Sequence, residues 1–301
     1  LNPLPARPRP PIALAARDMA RDRITTGWRG RGRGALLALL CLAACAGPAP
    51  SRTDDPAHPT IVSLNPCLDA ILVEIAGPEQ VLALSHYSRD PGSSSIPRSI
   101  AARYGATGGT AEEVIARQPD LVLASIFLPQ PTRQALERAG LRVATFGSPT
   151  SIAESAAQVR EVAALAGRVR EGEALAARIA APPPAADTPL DALLWQPGEI
   201  VAGEATLIAE LLREEGFVSH AAARGLRQAD RVSLEAVLAD PPQVLLVAGE
   251  AEGQRHPLLA QGVPGMQVAA FDPSLIWCGG PTIPRARARL RAIRAAVERG
   301  A

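Results

Sequence analysis

The sequence predicts an α/β protein of two Rossmann-like lobes with parallel sheets, joined by a single long helix, with a ligand cleft between the lobes. Three observations carry this. First, two stretches 123 positions apart repeat one pattern: Thr110-Ala111-Glu112-Glu113-Val114-Ile115-Ala116 with Pro119, and Ser233-Leu234-Glu235-Ala236-Val237-Leu238-Ala239 with Pro242. Each opens on a hydroxyl that can cap a helix, with a glutamate two residues on that suits the positive end of the helix dipole. Second, each copy runs into a wholly apolar segment, Leu121 to Ala124 and Val244 to Val247, of the kind buried inside parallel sheets. Third, the 31 residues from Ser151 to Ala181 contain no proline and carry apolar groups at helical spacing. So long a period with one copy per half gives two lobes, because a solenoid needs shorter and more numerous repeats.

The elements follow in order. The segment before the lobes reads as a sorting signal. Arginines 21, 23, 29, 31 and 33 form a basic region, Ala35 to Ala44 an apolar one, and Leu42-Ala43-Ala44-Cys45 resembles a lipobox whose Cys45 takes the lipid. Ten apolar residues are too few for a bilayer span, which needs about 20. Residues before Met19 read as an upstream extension, and residues 46–59 as a flexible tether. Removing eight arginines and two aspartates takes the net charge from +1 to −5 over the remaining 257 residues, enough for two domains. All 31 basic residues are arginine, yet the acidic balance excludes a nucleic-acid surface.

The first lobe spans residues 60–150. Thr60 to Leu64 reads as a strand, Pro66 starts a helix, Val81 to Leu84 is a strand and Ser85 to Ser95 a polar loop. The first repeat follows, then a helix from Pro131 to Ala139 and a strand from Arg142 to Phe146. The linker helix covers 151–181, with a break allowed at Gly167 or Gly172. The second lobe, 182–301, holds a strand at Asp191 to Trp195, a helix at Leu207 to Glu215, the second repeat, and a strand at Gln267 to Phe271. Its last helix, Ile283 to Arg299, buries Ile283, Ala286, Leu290, Ile293 and Val297 and turns its arginines to solvent.

This order of parts resembles the helix-linked (class III) periplasmic substrate-binding proteins of ABC importers, which serve vitamin B12, ferric siderophores and haem. Ile61-Val62-Ser63-Leu64-Asn65-Pro66 is similar to that family's opening strand and turn. The segments at Thr110-Ala111-Glu112 and Val232-Ser233-Leu234-Glu235 are similar to its two docking segments. The resemblance implies that Glu112 and Glu235 pair with arginines on a two-fold permease dimer, which works with ATPase subunits. It also implies a monomer in the periplasm, held to a membrane only by lipid on Cys45, that delivers a cobalamin-type corrinoid or a ferric siderophore. Haem or another metal chelate is the alternative. No resident cofactor or metal site is expected.

For the ligand, aromatic and loop residues after strands are the candidates: Tyr87, Phe127, Trp195 and Trp277, with Arg89 for an anionic group and Cys67 at the cleft. The family's vitamin B12 binders often read Ser-Asp-Tyr-Pro where this chain reads Ser88-Arg89-Asp90-Pro91. Cys67 and Cys278 are expected to face the cleft from opposite sides as free thiols, since a bridge would hold the lobes together. Two readings from other classes remain: an enzyme using Cys67 as nucleophile at a helix start, and a lipid-anchored scaffold without a small ligand. The chain lacks the hydrolase elbow, the phosphate-binding loop and the zinc-protease motif, and no catalytic residue is assigned.

Overall fold

The computed structural model describes residues 58–183 and 188–300. The signal, Cys45 and the tether therefore lie outside the described residues, apart from the tether's last two positions. The first lobe begins with β1 (Ile61–Ser63), fully buried, and turns through Asn65 into α1 (Pro66–Ile75). Asn65 caps this helix: its Oδ1 accepts from the Cys67 amide at 2.8 Å, and Pro66 sits where a missing N–H costs nothing. Then come β2 (Val81–Ser85), α2 (Arg98–Ala101), β3 (Ala106–Thr107), α3 (Ala111–Arg117), β4 (Leu121–Ser125), α4 (Gln130–Arg138) and β5 (Arg142–Phe146). Their sheet has the order β3-β2-β1-β4-β5, with every pair parallel. Strand order reverses between β1 and β4, so a crevice opens beyond their carboxyl ends.

The expected linker helix is two helices, α5 (Ile152–Leu165) and α6 (Val169–Ala180). The break falls at Gly167, whose φ of 69° is left-handed. Its amide donates to Ala164 O at 3.2 Å and the Arg168 amide to Ala163 O at 2.8 Å, a Schellman closure that ends the helix. The chain then folds back, so Arg160 pairs with Glu173 at 3.0 Å and Gly172 lies directly on Ala163. Both helices pack on α1, while α5 also meets the second lobe's first helix and α6 its last.

The second lobe comprises β6 (Leu190–Gln196), β7 (Ile200–Val201), α7 (Leu207–Glu214), β8 (Phe217–Ser219), α8 (His220–Ala223), α9 (Leu234–Ala239), β9 (Val244–Val247), α10 (Pro257–Gln261), β10 (Gln267–Ala270) and α11 (Thr282–Gly300). β10, β9 and β6 are parallel neighbours; β8 runs parallel to the first half of β6, and β7 antiparallel to its end. The two repeats are equivalent in space. Thr110 Oγ1 accepts from the Glu113 amide and Ser233 Oγ from the Ala236 amide, both at 3.3 Å. Each repeat strand, β4 or β9, pairs with its lobe's first strand. The expected solvated face of α11 is only partly so: Arg287 and Arg294 are buried. Arg287 donates to Ile179 O at 2.9 Å and pairs with Glu214, and Arg294 donates to Gly216 O at 2.7 Å. Carbonyls left at the ends of α6 and α7 need these donors.

Asp69 is buried in α1 with no exposed surface. Its Oδ2 accepts from the Ser85 amide at 2.9 Å and from Ser88 Oγ at 2.6 Å, tying α1 to the turn at His86–Arg89. Oδ1 has no partner. Burial pushes the carboxyl from 3.8 up to about 7, against the lowering effect of the neighbouring Ser63 hydroxyl and of those hydrogen bonds.

Two expectations follow from this packing. Gly172→Ala should destabilise the protein by about 1–3 kcal/mol in urea melts, because its new methyl meets Ala163 and outweighs the helix propensity gained. Adding Ala163→Gly should recover part of the loss; no recovery would place the cause elsewhere. A carboxyl raised in the folded state adds stability that is complete below its unfolded value and fades as pH rises through about 7. Urea midpoints of the wild type should therefore fall between pH 4 and pH 8, and Asp69→Asn should flatten that slope. An equal slope in both proteins would show that Asp69 does not carry it.

Candidate ligand-binding cleft

A cavity of 310 Å³ lies between the lobes, on the side where strands end. The first lobe gives it Asn65, Cys67 and Leu68 after β1, and Phe146 to Thr150 after β5; α5 adds Gln158. The second lobe gives Gln196 at the end of β6, then Ala202, Thr206, Leu207, Ile208, Leu211 and Gln228, and the loop Leu275 to Gly279. Gln158 Nε2 donates to Gly147 O at 2.8 Å, and Gln228 Oε1 accepts from the Gly203 amide at 2.9 Å. Each thus uses one end of its amide inside the protein. No lining residue is charged, and none is His, Tyr or Met. Among the described residues no group of three or more His, Cys, Asp or Glu could hold a metal ion, and no helix is long and apolar enough to cross a membrane.

The six residues named from sequence for the ligand are scattered by the structure. Trp277 lines the cavity and is half exposed. Cys67 lines it too, but not as a thiol: it is joined to Cys278, with the Cα atoms 5.2 Å apart. This corrects the expectation of two free thiols on opposite sides. The loop after β10 turns back over the start of α1, and Gly280 closes that approach by donating to Ser155 Oγ at 2.7 Å. The bridge also removes the nucleophile of the enzyme reading.

Trp195 is placed elsewhere, at 1 % exposure in the core of the second lobe, its Nε1 donating to Val232 O at 2.8 Å. Side chains alternate along a strand. Trp195 follows Leu193 onto the face packed against α9, and Gln196, one position on, lines the cavity. Phe127, in the loop after β4, is 80 % exposed and outside the cavity lining. Tyr87 is half exposed, its ring 4.0 Å from that of His86. Arg89 donates to Tyr104 O at 2.7 Å and borders a second hollow of 280 Å³ with Arg98, Asp272 and Arg285.

Sequence reasoning passed over Phe146 and the three glutamines. The rule that α/β ligands bind beyond strand carboxyl ends points to Phe146 and Gln196. Nothing local marks Gln158, which reaches the cavity only because α5 crosses between the lobes.

Glu112 and Glu235 occupy the same place on their two helices, the second residue after the capping hydroxyl, and both are exposed. The helix amide of Glu235 itself, then the Ser233 hydroxyl, hold the Glu235 carboxyl below the usual range.

Solved structures share this architecture. The haem-binding protein RhuT of Roseiflexus sp. RS-1 is 23% identical with a TM-score of 0.60, over 79% of this chain and 97% of its own. The haem-binding protein HutB of Vibrio cholerae is 17% identical with a TM-score of 0.62, over 78% and 98%. The vitamin B12-binding protein BtuF of Vibrio cholerae is 19% identical with a TM-score of 0.56, over 79% and 97%. At such identities the likeness is one of fold. No curated protein matches the chain by sequence. The sequence profile described as "Periplasmic binding protein" matches residues 61–261. That span runs from β1 through both repeats to α10, so the chain belongs to the periplasmic binding protein family, the solute-binding partners of ABC importers.

Proposed function

We propose that this protein is a lipoprotein that captures a cobalamin-type corrinoid or a ferric siderophore in its inter-lobe cleft and hands it to a permease. The cavity carries this reading: both lobes build it, its polar side chains are neutral amides and hydroxyls, and its lining has no His, Tyr, Met or carboxylate. Such a wall suits a chelate whose metal is already satisfied and whose edge is uncharged. A corrinoid with carboxamide arms fits that better than an acidic ligand, because a buried carboxylate without a partner is costly. A volume of 310 Å³ is at the small end for ligand sites, so it takes one edge of a large ring and leaves the rest outside.

Haem is the second reading, favoured by the shared fold with haem-binding proteins. It would use residues outside the cavity lining, Tyr87 as an iron ligand and Arg89 toward a propionate. Anchoring through Cys45 places the protein at a membrane surface in the periplasm. Glu112 and Glu235, equivalent on the two lobes, meet the two like halves of the permease.

A thermal-shift screen with cyanocobalamin, dicyanocobinamide, hemin and ferric siderophores should show stabilisation by a corrinoid or a siderophore. A shift by hemin alone supports the haem reading, and no shift by any probe rejects all of these ligands. With the probe that binds, Trp277→Ala should weaken affinity by roughly 1–3 kcal/mol, the loss of one apolar wall, read by fluorescence titration. Unchanged affinity takes Trp277 out of the site. Replacing both Glu112 and Glu235 with alanine should abolish uptake in cells and leave affinity within about tenfold, or 1.4 kcal/mol. A larger loss of affinity would reject the docking role.

A further inference from the structure

The Cys67–Cys278 bridge stands where both lobes and the cavity meet. Cys67 is the second residue of α1, directly beyond the strand at the first lobe's switch point. Cys278 follows Trp277 in the loop between β10 and α11. Both sulfurs' residues line the cavity, and Cys67 Sγ lies 3.4 Å from Trp277 O. Two residues on, Gly280 is held by Ser155 Oγ at 2.7 Å and approaches Ile71 of α1 so closely that an added Cβ would stand 3.0 Å from it. The segment from Trp277 to Gly280 is therefore fastened to the first lobe and to α5, while the indole beside it stays half exposed. Another direct tie nearby, Arg285 Nη1 to Ser95 O at 2.6 Å, is a single hydrogen bond that can yield. The disulfide cannot yield without chemistry.

We propose that the Cys67–Cys278 disulfide is a positioning element of the ligand site. It sets the separation of the lobes at the cavity and seats Trp277 in its wall, so the site is preformed while the bridge is intact. A preformed wall raises affinity because ordering it costs nothing at the moment of binding. Cys67 is partly exposed and Cys278 buried, so an external dithiol attacks the Cys67 sulfur. The mixed disulfide is then resolved by the dithiol's second thiolate. Two electrons and two protons pass to the cysteine pair, and the dithiol leaves as its own disulfide. A compartment that keeps disulfides oxidised keeps the site assembled.

The ligand half of this inference rests on the function proposed above, whereas the wall half needs no ligand. Peptide mapping after alkylation without reductant should give a linked Cys67–Cys278 peptide as the main species; two alkylated peptides would overturn the proposal. The whole protein would then be compared before and after dithiothreitol, and as Cys67→Ala/Cys278→Ala, with Trp277→Phe isolating the signal of Trp277. Acrylamide quenching of Trp277 without ligand should rise when the bridge opens, with far-ultraviolet circular dichroism unchanged. Affinity for the probe that binds best among cyanocobalamin, hemin and ferric siderophores should fall about tenfold or more, equivalent to 1.4 kcal/mol. Unchanged quenching in the opened protein overturns the proposal even if no probe binds. Loss of the fold on opening also overturns it, because the bridge would then hold up the whole fold and not position the site. Failure of every probe, with quenching altered as expected, would reject the proposed ligands and leave the seating of Trp277 supported.

Discussion

The placement of α1 is the constraint on which the cleft depends. Its start carries the Asn65 cap and Cys67, both in the cavity lining. One turn in, Asp69 fixes the end of β2 and the following turn through Ser85 and Ser88. Ile71 meets the chain at Gly280, and the helix also packs against α5 and α6. A single ten-residue helix thus joins the first sheet, the linker and the second lobe's last loop. A shift in it moves the floor of the cavity and the seat of Trp277 together. Burying Asp69 there is expensive for a carboxylate, and that cost pushes its pKa up to about 7.

Much of this was legible because local chemistry and tertiary packing agree. The caps at Thr110 and Ser233, the proline at the start of α1 and the apolar strands β4 and β9 each specify a local conformation that the fold then uses. What could not be read depends on register and approach. Trp195 and Gln196 are adjacent, and one step along a strand decides which faces the cleft. Gly167 ends α5 only because Ala163 and Ala164 carbonyls accept from the turn, a closure hidden in an alanine-rich run that also suits a continuous helix. The bridge pairs residues at a sequence separation of 211, which no local pattern encodes. The short strands β3, β7 and β8 have two or three residues each, too few to show alternation.

The linker also explains how the lobes share one interior. Residues of β1 and α1, of α5 and α6, and of β6, α7 and α11 all belong to one continuous apolar core. Gly172 lets α6 lie against Ala163, and the buried Arg287 satisfies carbonyls at the end of α6 while pairing with Glu214 on α7. Nη1 and Nη2 of Arg287 are engaged in this way, while its buried Nε has no hydrogen-bond partner, so the two terminal nitrogens tie α11 to α6 and α7.

Lobes sharing a core differ physically from lobes joined by an exposed hinge. Swinging them apart would expose apolar side chains of this shared core as well as break a covalent bond. Each such side chain resists by roughly 1.5–3 kcal/mol of lost burial. Under the function proposed above, discrimination between ligands resides in the wall itself, in Trp277, Phe146 and the amides of Gln158, Gln196 and Gln228, and not in how far the cleft closes. A fixed wall of neutral groups rejects a carboxylate by leaving it unpaired, a penalty that no rearrangement of the lobes is free to relieve.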